Sequence, residues 1–350
     1  MAANVFHRYL RIAGALTVLV STAVLGINVL IDPLWFFGGN HLFPENYSFN
    51  ERHAKANYFM RAPKQWDCLI FGSSRATLLD ERTIPGYRCF NFAVSDGRPT
   101  EFKVYARYAR KFGGPVRMVI VAVDARNLSR PKLSQELPEF VRDMAPPPGP
   151  LRTYLSWSAL NFSLRTLLRR SPRVRYYDGD LIGDVLPGTP PYRPPRCYSD
   201  RDYGQPFHLR HAPHYAAIRE TFPDAKFIGY VAPIAAWDMS LLLQDGSLPS
   251  YARAMYAMAQ QYERFYDFSI PSPITERKDN TYDGHHYDRA TNHLIAARMF
   301  GNAADFGLAV HDMSLAEYHA ALETALRDYA ARAHPNLKFC AASGRWHPLR

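Results

Sequence analysis

Three groupings of residues have types and spacings that chemistry could use. The first is Gly72-Ser73-Ser74-Arg75-Ala76, directly after the apolar run Trp66 to Phe71. A serine where a strand ends and a helix opens has free backbone N–H groups and a positive helix end beside it. Ser74 at such a spot can attack an acyl carbon while neighbouring N–H groups receive the developing oxyanion. The same place also suits a serine that merely caps the helix. The second glycine of G-x-S-x-G is missing, and no G-K-[ST] follows. The string is therefore neither an α/β-hydrolase elbow nor a P-loop.

The second grouping is Thr281-Tyr282-Asp283-Gly284-His285-His286-Tyr287. A serine nucleophile needs a base, and the base needs an orienting group. Asp-x-x-His across a glycine turn lets Asp283 reach the imidazole of His286, fix its tautomer and support the imidazolium formed in acyl transfer. Taken alone, the string also reads as a polar surface turn. Paired with a serine at the end of an early strand, it points to a Ser74–His286–Asp283 triad. The third grouping is His208, His211 and His214. Pro213 interrupts a helix there and no carboxylate or cysteine completes a ligand set, so no metal is expected. No motif implies any other cofactor.

The elements that must hold these residues follow from hydrophobic runs and their punctuation. Trp66 to Phe71, Cys89 to Val94 and Val116 to Val123 read as buried strands. A helix is expected from about Ala76, and another over Thr100 to Phe112, stopped by Gly113-Gly114. From about 125 to 213 the rhythm breaks into Pro-rich clusters with some helix from Thr153 to Leu168. Such an insertion is typical of a lid or binding loop. The rhythm resumes with a helix from His214 to Phe222, a strand from Ala225 to Val231 and a helix from Tyr251 to Arg264. Phe265 to Phe268 reads as a short last strand, and Arg289 to Phe300 as a helix. Ser314-x-x-Glu317 has the capping-box pattern of a final helix. Strands separated by helices predict an α/β fold with a parallel sheet covered on both faces.

With those elements in place, the chain resembles the SGNH, or GDSL-like, hydrolase superfamily. Ile70-Phe71-Gly72-Ser73-Ser74-Arg75 is similar to its first block, Phe90-Asn91-Phe92-Ala93-Val94-Ser95 to its second, and Asp283-x-x-His286-Tyr287 to its last. The lead-in Tyr266-Asp267-Phe268-Ser269 is similar to the strand before that block in membrane-anchored bacterial members. The resemblance spans roughly Asp67 to Phe300, apart from the insertion. It implies a flavodoxin-like three-layer α/β/α fold, with Ser74 as nucleophile and Asp283 and His286 completing the triad. It further implies an extracytoplasmic esterase or O-acyltransferase working on acetyl or other acyl esters of an envelope glycan. Two departures stand out. Ala93 replaces the second-block glycine whose N–H serves the oxyanion. The third-block Gly-x-Asn-Asp is absent, leaving Asn127 as a candidate donor or as a loop residue. Arg75, beside the nucleophile, is a candidate for holding an anionic substrate group or for pairing with Asp124. These departures keep a second reading open: a non-catalytic module of the same fold that binds glycan or a membrane acyltransferase.

Composition bounds the rest. The chain has 350 residues, 47% of them hydrophobic, and a formal net charge of +10. The densest basic run, Arg165 to Arg175, carries no nucleic-acid motif and reads as a solvated face or a patch near lipid headgroups. No nucleic-acid partner is expected. Ile12 to Ile31 is a run of twenty residues without charge, long enough as a helix to cross the ~30 Å hydrocarbon core. It exceeds the ~7–15-residue apolar region of a cleaved signal and no small-x-small site follows it, which favours a single uncleaved inner-membrane anchor over a cleaved signal, with Arg8 and Arg11 before it and Asp32 after it. The rest of the chain then faces the periplasm. The expected domains are an anchor over 1–35, a linker over 36–65, a catalytic domain over 66–305 with an insertion at about 125–213, and a helical extension over 306–350. The four cysteines, Cys68, Cys89, Cys197 and Cys340, form no C-x-x-C pair. Two disulfides are compatible with an oxidising compartment. Cys68 and Cys89, on strands expected to be neighbours, are either a bridge or a pair of core thiols.

Overall fold

The structure is a computed structural model that describes residues 2–129, 137–194, 207–301, 306–333, 339–340 and 346–347. In chain order the strands are β1 (Cys68–Phe71), β2 (Cys89–Asn91), β3 (Met118–Ala122), β4 (Arg175–Tyr177), β5 (Gly183–Val185), β6 (Lys226–Val231), β7 (Arg264–Asp267), β8 (Leu308–Ala309), β9 (Phe339–Cys340) and β10 (Trp346–His347). The helices are α1 (Ala2–Ile31), α2 (Glu51–Arg61), α3 (Pro99–Phe112), α4 (Ala125–Ser129), α5 (Glu139–Arg142) and α6 (Pro150–Tyr154). They continue with α7 (Trp157–Leu167), α8 (Ala212–Thr221), α9 (Ala236–Gln244), α10 (Leu248–Ala259), α11 (Arg289–Phe300) and α12 (Leu315–Ala333). The chain forms two compact units, residues 1–62 with 138–186, and residues 63–137 with 187–350.

The second unit is built on a six-stranded sheet of order β2-β1-β3-β6-β7-β8. Its first five strands run parallel, and β8 adds an antiparallel edge. This is the α/β class expected, with the doubly wound order in which ligands bind beyond the carboxyl ends of the strands. The strands are short continuous apolar runs because both faces are covered. On one face Ile70, Ile120, Ile228 and Tyr230 pack against Ile295, Ala296 and Met299 of α11. On the other, the Phe71 ring stacks on Phe92, which meets Tyr105 of α3. Pro99 opens α3, and Glu101 accepts from the Arg98 N–H at 2.8 Å to close its capping box.

Cys68 and Cys89 sit side by side in the β1–β2 register, with Cα atoms 4.1 Å apart, and are joined as a disulfide. Cys197 lies outside the described residues, as does the side chain of Cys340. At the end of β7 the fully buried Asp267 accepts hydrogen bonds from Tyr251 of α10, Ser269 and Tyr318 of α12. That carboxylate ties both helices to the sheet. Burial pushes its pKa up against those hydrogen bonds.

The helix expected from about Ala76 is not formed. Ser74–Ala76 is a single 3-10 turn, and a second turn, Glu81–Thr83, follows after a short loop. The Asn91 side chain explains the stop: its amide donates to the carbonyls of Ala76 and Leu79, at 2.9 and 3.1 Å, drawing that segment back onto β2. Carbonyls taken by a side chain from another strand are not available to extend a helix.

The first unit holds the apolar helix α1, long enough to cross a membrane, whose residues 4–31 have a mean hydropathy of 2.1 over their most apolar window. Its last turns pack on α6 and α7 through Leu25, Val29, Leu34, Tyr154 and Ala159. Asn28 donates to the Tyr154 carbonyl at 2.7 Å and accepts from Ser163 at 2.7 Å. Asp32, just past the helix, accepts from the N–H groups of Phe36, Phe37 and Gly39 and from the Tyr154 hydroxyl. The β4–β5 hairpin packs on α2 around Trp35, Ala54, Tyr177 and Leu181.

Candidate active site

The end of β1 is where local sequence and packing bring Ser74 out. Gly72 is required by close approach: a Cβ there would stand 2.7 Å from the Ala76 Cβ and 2.9 Å from the Ala122 Cβ. The chain therefore turns sharply against β3. Ser73 takes the N-cap position without capping, and its hydroxyl points instead to Asp124 at 3.5 Å. Ser74 follows, first in the turn, with its carbonyl accepting from the Thr77 hydroxyl at 2.7 Å.

The loop after β7 is shaped by two hydroxyl and carboxylate anchors. Asp283 Oδ1 accepts the N–H groups of His285 and His286 at 3.0 and 2.9 Å, an Asx-type turn. Thr281 Oγ1 donates to the His286 carbonyl at 2.8 Å and accepts the Gly284 N–H at 3.1 Å. Gly284, at φ 80°, turns the chain between them. The His286 ring stacks on Tyr282, with centroids 5.3 Å apart. These contacts leave the ring little rotational freedom.

Ser74, His286 and Asp283 form a continuous chain of hydrogen bonds. His286 Nδ1 lies 2.7 Å from Asp283 Oδ2, and His286 Nε2 lies 2.7 Å from Ser74 Oγ. A carboxylate can only accept, so the Nδ1 proton faces Asp283 and Nε2 is left to accept from the serine hydroxyl. Burial would raise the Asp283 pKa. The hydrogen bond and charge of His286 and the two loop N–H groups outweigh it and hold it at about 2. Asp283 is thus ionised over the working pH range.

Sequence reasoning placed two donors here that the structure engages elsewhere. The Ala93 N–H donates to Asn91 Oδ1 at 2.9 Å. Asn127 donates from Nδ2 to the Gly97 carbonyl at 2.9 Å and accepts from Arg98 at 3.0 Å. Asn127 therefore ties α4 to the loop after β2, and neither group is a ready oxyanion donor. Arg75 directly follows Ser74. Its guanidinium meets His285 Nδ1 at 3.3 Å, and its charge, with that of Arg126, acts on Asp124. Burial works to raise the Asp124 pKa, yet those two charges hold it below the usual value.

A small cleft adjoins this corner. Arg75, Arg126, Asp238 and His285 line it together with Ile234 and Met239. Asp238 accepts from the Tyr192 hydroxyl at 3.0 Å and lies 3.8 Å from His285 Nε2. Burial raises its pKa to about 7, against that hydrogen bond and the charges of Arg126 and Arg75. Burial first, then Arg75 and Arg126, lower the His285 pKa to about 3, so this ring is neutral at pH 7. Sequence reasoning missed Asp238, Tyr192 and Arg126. The usable signal was position: Asp238 follows the carboxyl end of β6, where a parallel sheet builds its site.

The site loop is tethered to the segment after Ser74 by Asp80. This buried carboxylate takes a bidentate pair from Arg82 and a 2.9 Å contact from Arg289, at the start of α11. Burial raises its pKa, but Arg82 and then Arg289 bring it down to about 2. A carboxyl depressed in the folded state stabilises above its ordinary pKa, and that contribution is lost as pH falls through the folded value. Asp80→Asn is therefore expected to cost about 1–2 kcal/mol at pH 7, allowing for the solvent around Arg82. In pH-dependent denaturant titrations the cost should shrink between about pH 4 and pH 2. A cost that persists undiminished at pH 2 rejects the assignment.

Among the described residues no cluster of three or more histidine, cysteine, aspartate or glutamate side chains is arranged to hold a metal. The rings of His211 and His214 stack at 5.7 Å.

No protein-family model matches the chain, and no curated protein matches it. One solved structure, from Streptococcus pneumonia and provisionally named a platelet activating factor, aligns over 71% of this chain and 92% of its own. The identity is 10% and the TM-score 0.35.

Proposed function

We propose that this protein is a serine hydrolase or acyltransferase that works through an acyl-serine intermediate at Ser74. The observation that carries this reading is the unbroken pair of 2.7 Å hydrogen bonds from Ser74 through His286 to Asp283. His286 Nε2 takes the Ser74 proton as Oγ attacks the acyl carbonyl. The imidazolium, held by ionised Asp283, then gives that proton to the departing alkoxide. Water or a second hydroxyl, deprotonated by the same nitrogen, releases the acyl group as acid or as new ester. The first N–H groups of a helical turn have no acceptor inside it. The Arg75 N–H, in the first turn after Ser74, is the oxyanion donor in this reading, in place of Ala93 and Asn127.

The cleft supports a finer assignment. Arg75 and Arg126 beside the nucleophile fit an acyl-carrying substrate with an anionic group, and the small apolar lining suits a short acyl chain such as acetyl. We assign the substrate to an O-acylated envelope glycan outside the cytoplasm, reached by a domain anchored through α1. A membrane acyltransferase is the fitting partner if the reaction is transfer.

The purified full chain is expected to react with a fluorophosphonate probe and to lose that labelling entirely as Ser74→Ala. Labelling that survives the substitution removes the assignment of Ser74. The engaged state of Ala93 and Asn127 favours a second reading, a glycan-binding module of the same fold, which predicts no labelling of the native chain. Orientation is tested separately: reporter fusions after residue 60 should be active only outside the cytoplasm, because Arg8 and Arg11 flank the inner end of the span. Cytoplasmic activity of such a fusion rejects the envelope substrate and leaves the Ser74 chemistry untouched.

A further inference from the structure

Large apolar side chains exposed to solvent are unevenly placed. Outside the first unit, Leu209 and Leu294 account for all of them among the described residues. Within that unit, ten belong to α1 itself, and six more cluster on α6, α7 and their flanks: Leu151, Leu155, Trp157, Leu164, Leu167 and Leu168. Trp157 is 76% exposed and Leu168 64%. An apolar cluster of that kind marks a contact with another body.

What covers it is indicated by what α7 is attached to. Its buried side holds Ser163, which donates to Asn28, and Ala159, which packs with Leu34 and Tyr154 against the end of α1. Asn28 lies within the uncharged run that ends at Ile31, about 5 Å of helix from that end. A polar side chain at that depth needs an internal partner, and the Tyr154 carbonyl and Ser163 hydroxyl supply it. The α6–α7 pair is thereby fixed at the level of the last turn of α1, not beyond it. The exposed arginines Arg152, Arg165, Arg169 and Arg170 border the apolar residues. Helices that lie in a membrane interface have this composition, with Trp and Leu reaching ~5–10 Å into the acyl boundary and Arg among the headgroups.

We infer that α6 and α7 form an interfacial element that lies in the leaflet where α1 emerges, with Trp157 and Leu168 among the acyl chains. The partner is an anionic phospholipid bilayer. The inference rests on reading α1 as a membrane anchor and is independent of the Ser74 chemistry. The anchor then has a second foot: α1 crosses, and α6–α7 fixes how the first unit sits at the surface.

The test uses the full chain in vesicles of phosphatidylethanolamine and phosphatidylglycerol. A p-benzoylphenylalanine replaces Trp157, Leu168, Leu19 within α1, or Leu294 on α11, one position at a time. All four are exposed, so folding is not at stake. After irradiation, phospholipid adducts at 157 and 168 should come within a few-fold of the yield at 19, and those at 294 should stay at background. Adducts at 19 but not at 157 or 168 overturn the interfacial element and leave the anchor standing. Adducts at none of the positions overturn the anchor and this inference together. Crosslinks from 157 or 168 to a second copy of the chain also overturn it, making the face a contact between protomers.

Discussion

Ser74→Ala and His286→Ala should each lower kcat/KM on an activated short-chain ester by about 10³-fold or more, to the level that binding and oxyanion contacts alone sustain. The size of the effect comes from the geometry. His286 Nε2 lies 2.7 Å from Ser74 Oγ, and Asp283 Oδ2 lies 2.7 Å from His286 Nδ1. Combining the two substitutions should cost little more than either alone, because members of one catalytic unit are not additive. Asp283→Asn should cost less, but still on the order of 10²-fold or more. The amide oxygen can keep the two loop N–H groups now held by Asp283 Oδ1. Its NH₂ would then face Nδ1 and push the ring proton onto Nε2, where it blocks acceptance from the serine. Turnover by Ser74→Ala within tenfold of the native chain would sink the acyl-serine reading.

Gly284→Ala should be the next most damaging single change, with a fall of about 10²-fold in the rate of fluorophosphonate labelling. Two physical effects combine at this position. At φ 80° a side chain pays for a left-handed backbone, about 1–2 kcal/mol. A Cβ there would also stand 2.4 Å from Asp238 Oδ2 and 2.9 Å from Tyr192 Cζ. Asp238 is held by Tyr192, so it cannot simply rotate away, and the loop must yield instead. Asp283 and His286 flank Gly284 in that loop, and a shift of ~1 Å in a reacting group can cost ~10²-fold. Far-ultraviolet circular dichroism should remain native. A labelling rate equal to that of the native chain would show that the loop absorbs the methyl without moving His286.

Much of the fold was legible because it rests on local pattern. The buried strands of a parallel sheet are continuous apolar runs, and β1, β3, β6 and β7 stood out between Gly, Pro and polar residues. Ser74, Asp283 and His286 were legible because the whole Asp-to-His arrangement fits within one four-residue turn, and because a serine ending the first strand faces the same edge. What was not legible depends on distant partners. No feature of the string F-N-F-A-V tells that Asn91 will reach back to Ala76 and Leu79, stop a helix there and occupy the Ala93 N–H. Asn127 was read as a donor or a loop residue; its partners Arg98 and Gly97 are about thirty residues away. Asp238 and Tyr192 come together across 46 positions, from a helix and a Pro-rich stretch with no motif. The antiparallel edge β8 is only two residues long, too short for any period to register.

Ser74 and His286 stand 212 positions apart, and His286 and Asp283 share one short loop. On the acyl-serine reading, the pair that activates the serine therefore arrives together and late. At roughly 5–20 residues per second of synthesis, the nucleophile waits on the order of 10–40 s before any base exists to activate it. No shorter nascent chain carries a partly working site, because the serine without its loop is an ordinary hydroxyl. On the acyl-serine reading, reactivity begins only when the segment after β7 brings His286 to Ser74. On that same reading, a growing chain is thereby unreactive toward acyl esters until that loop is in place.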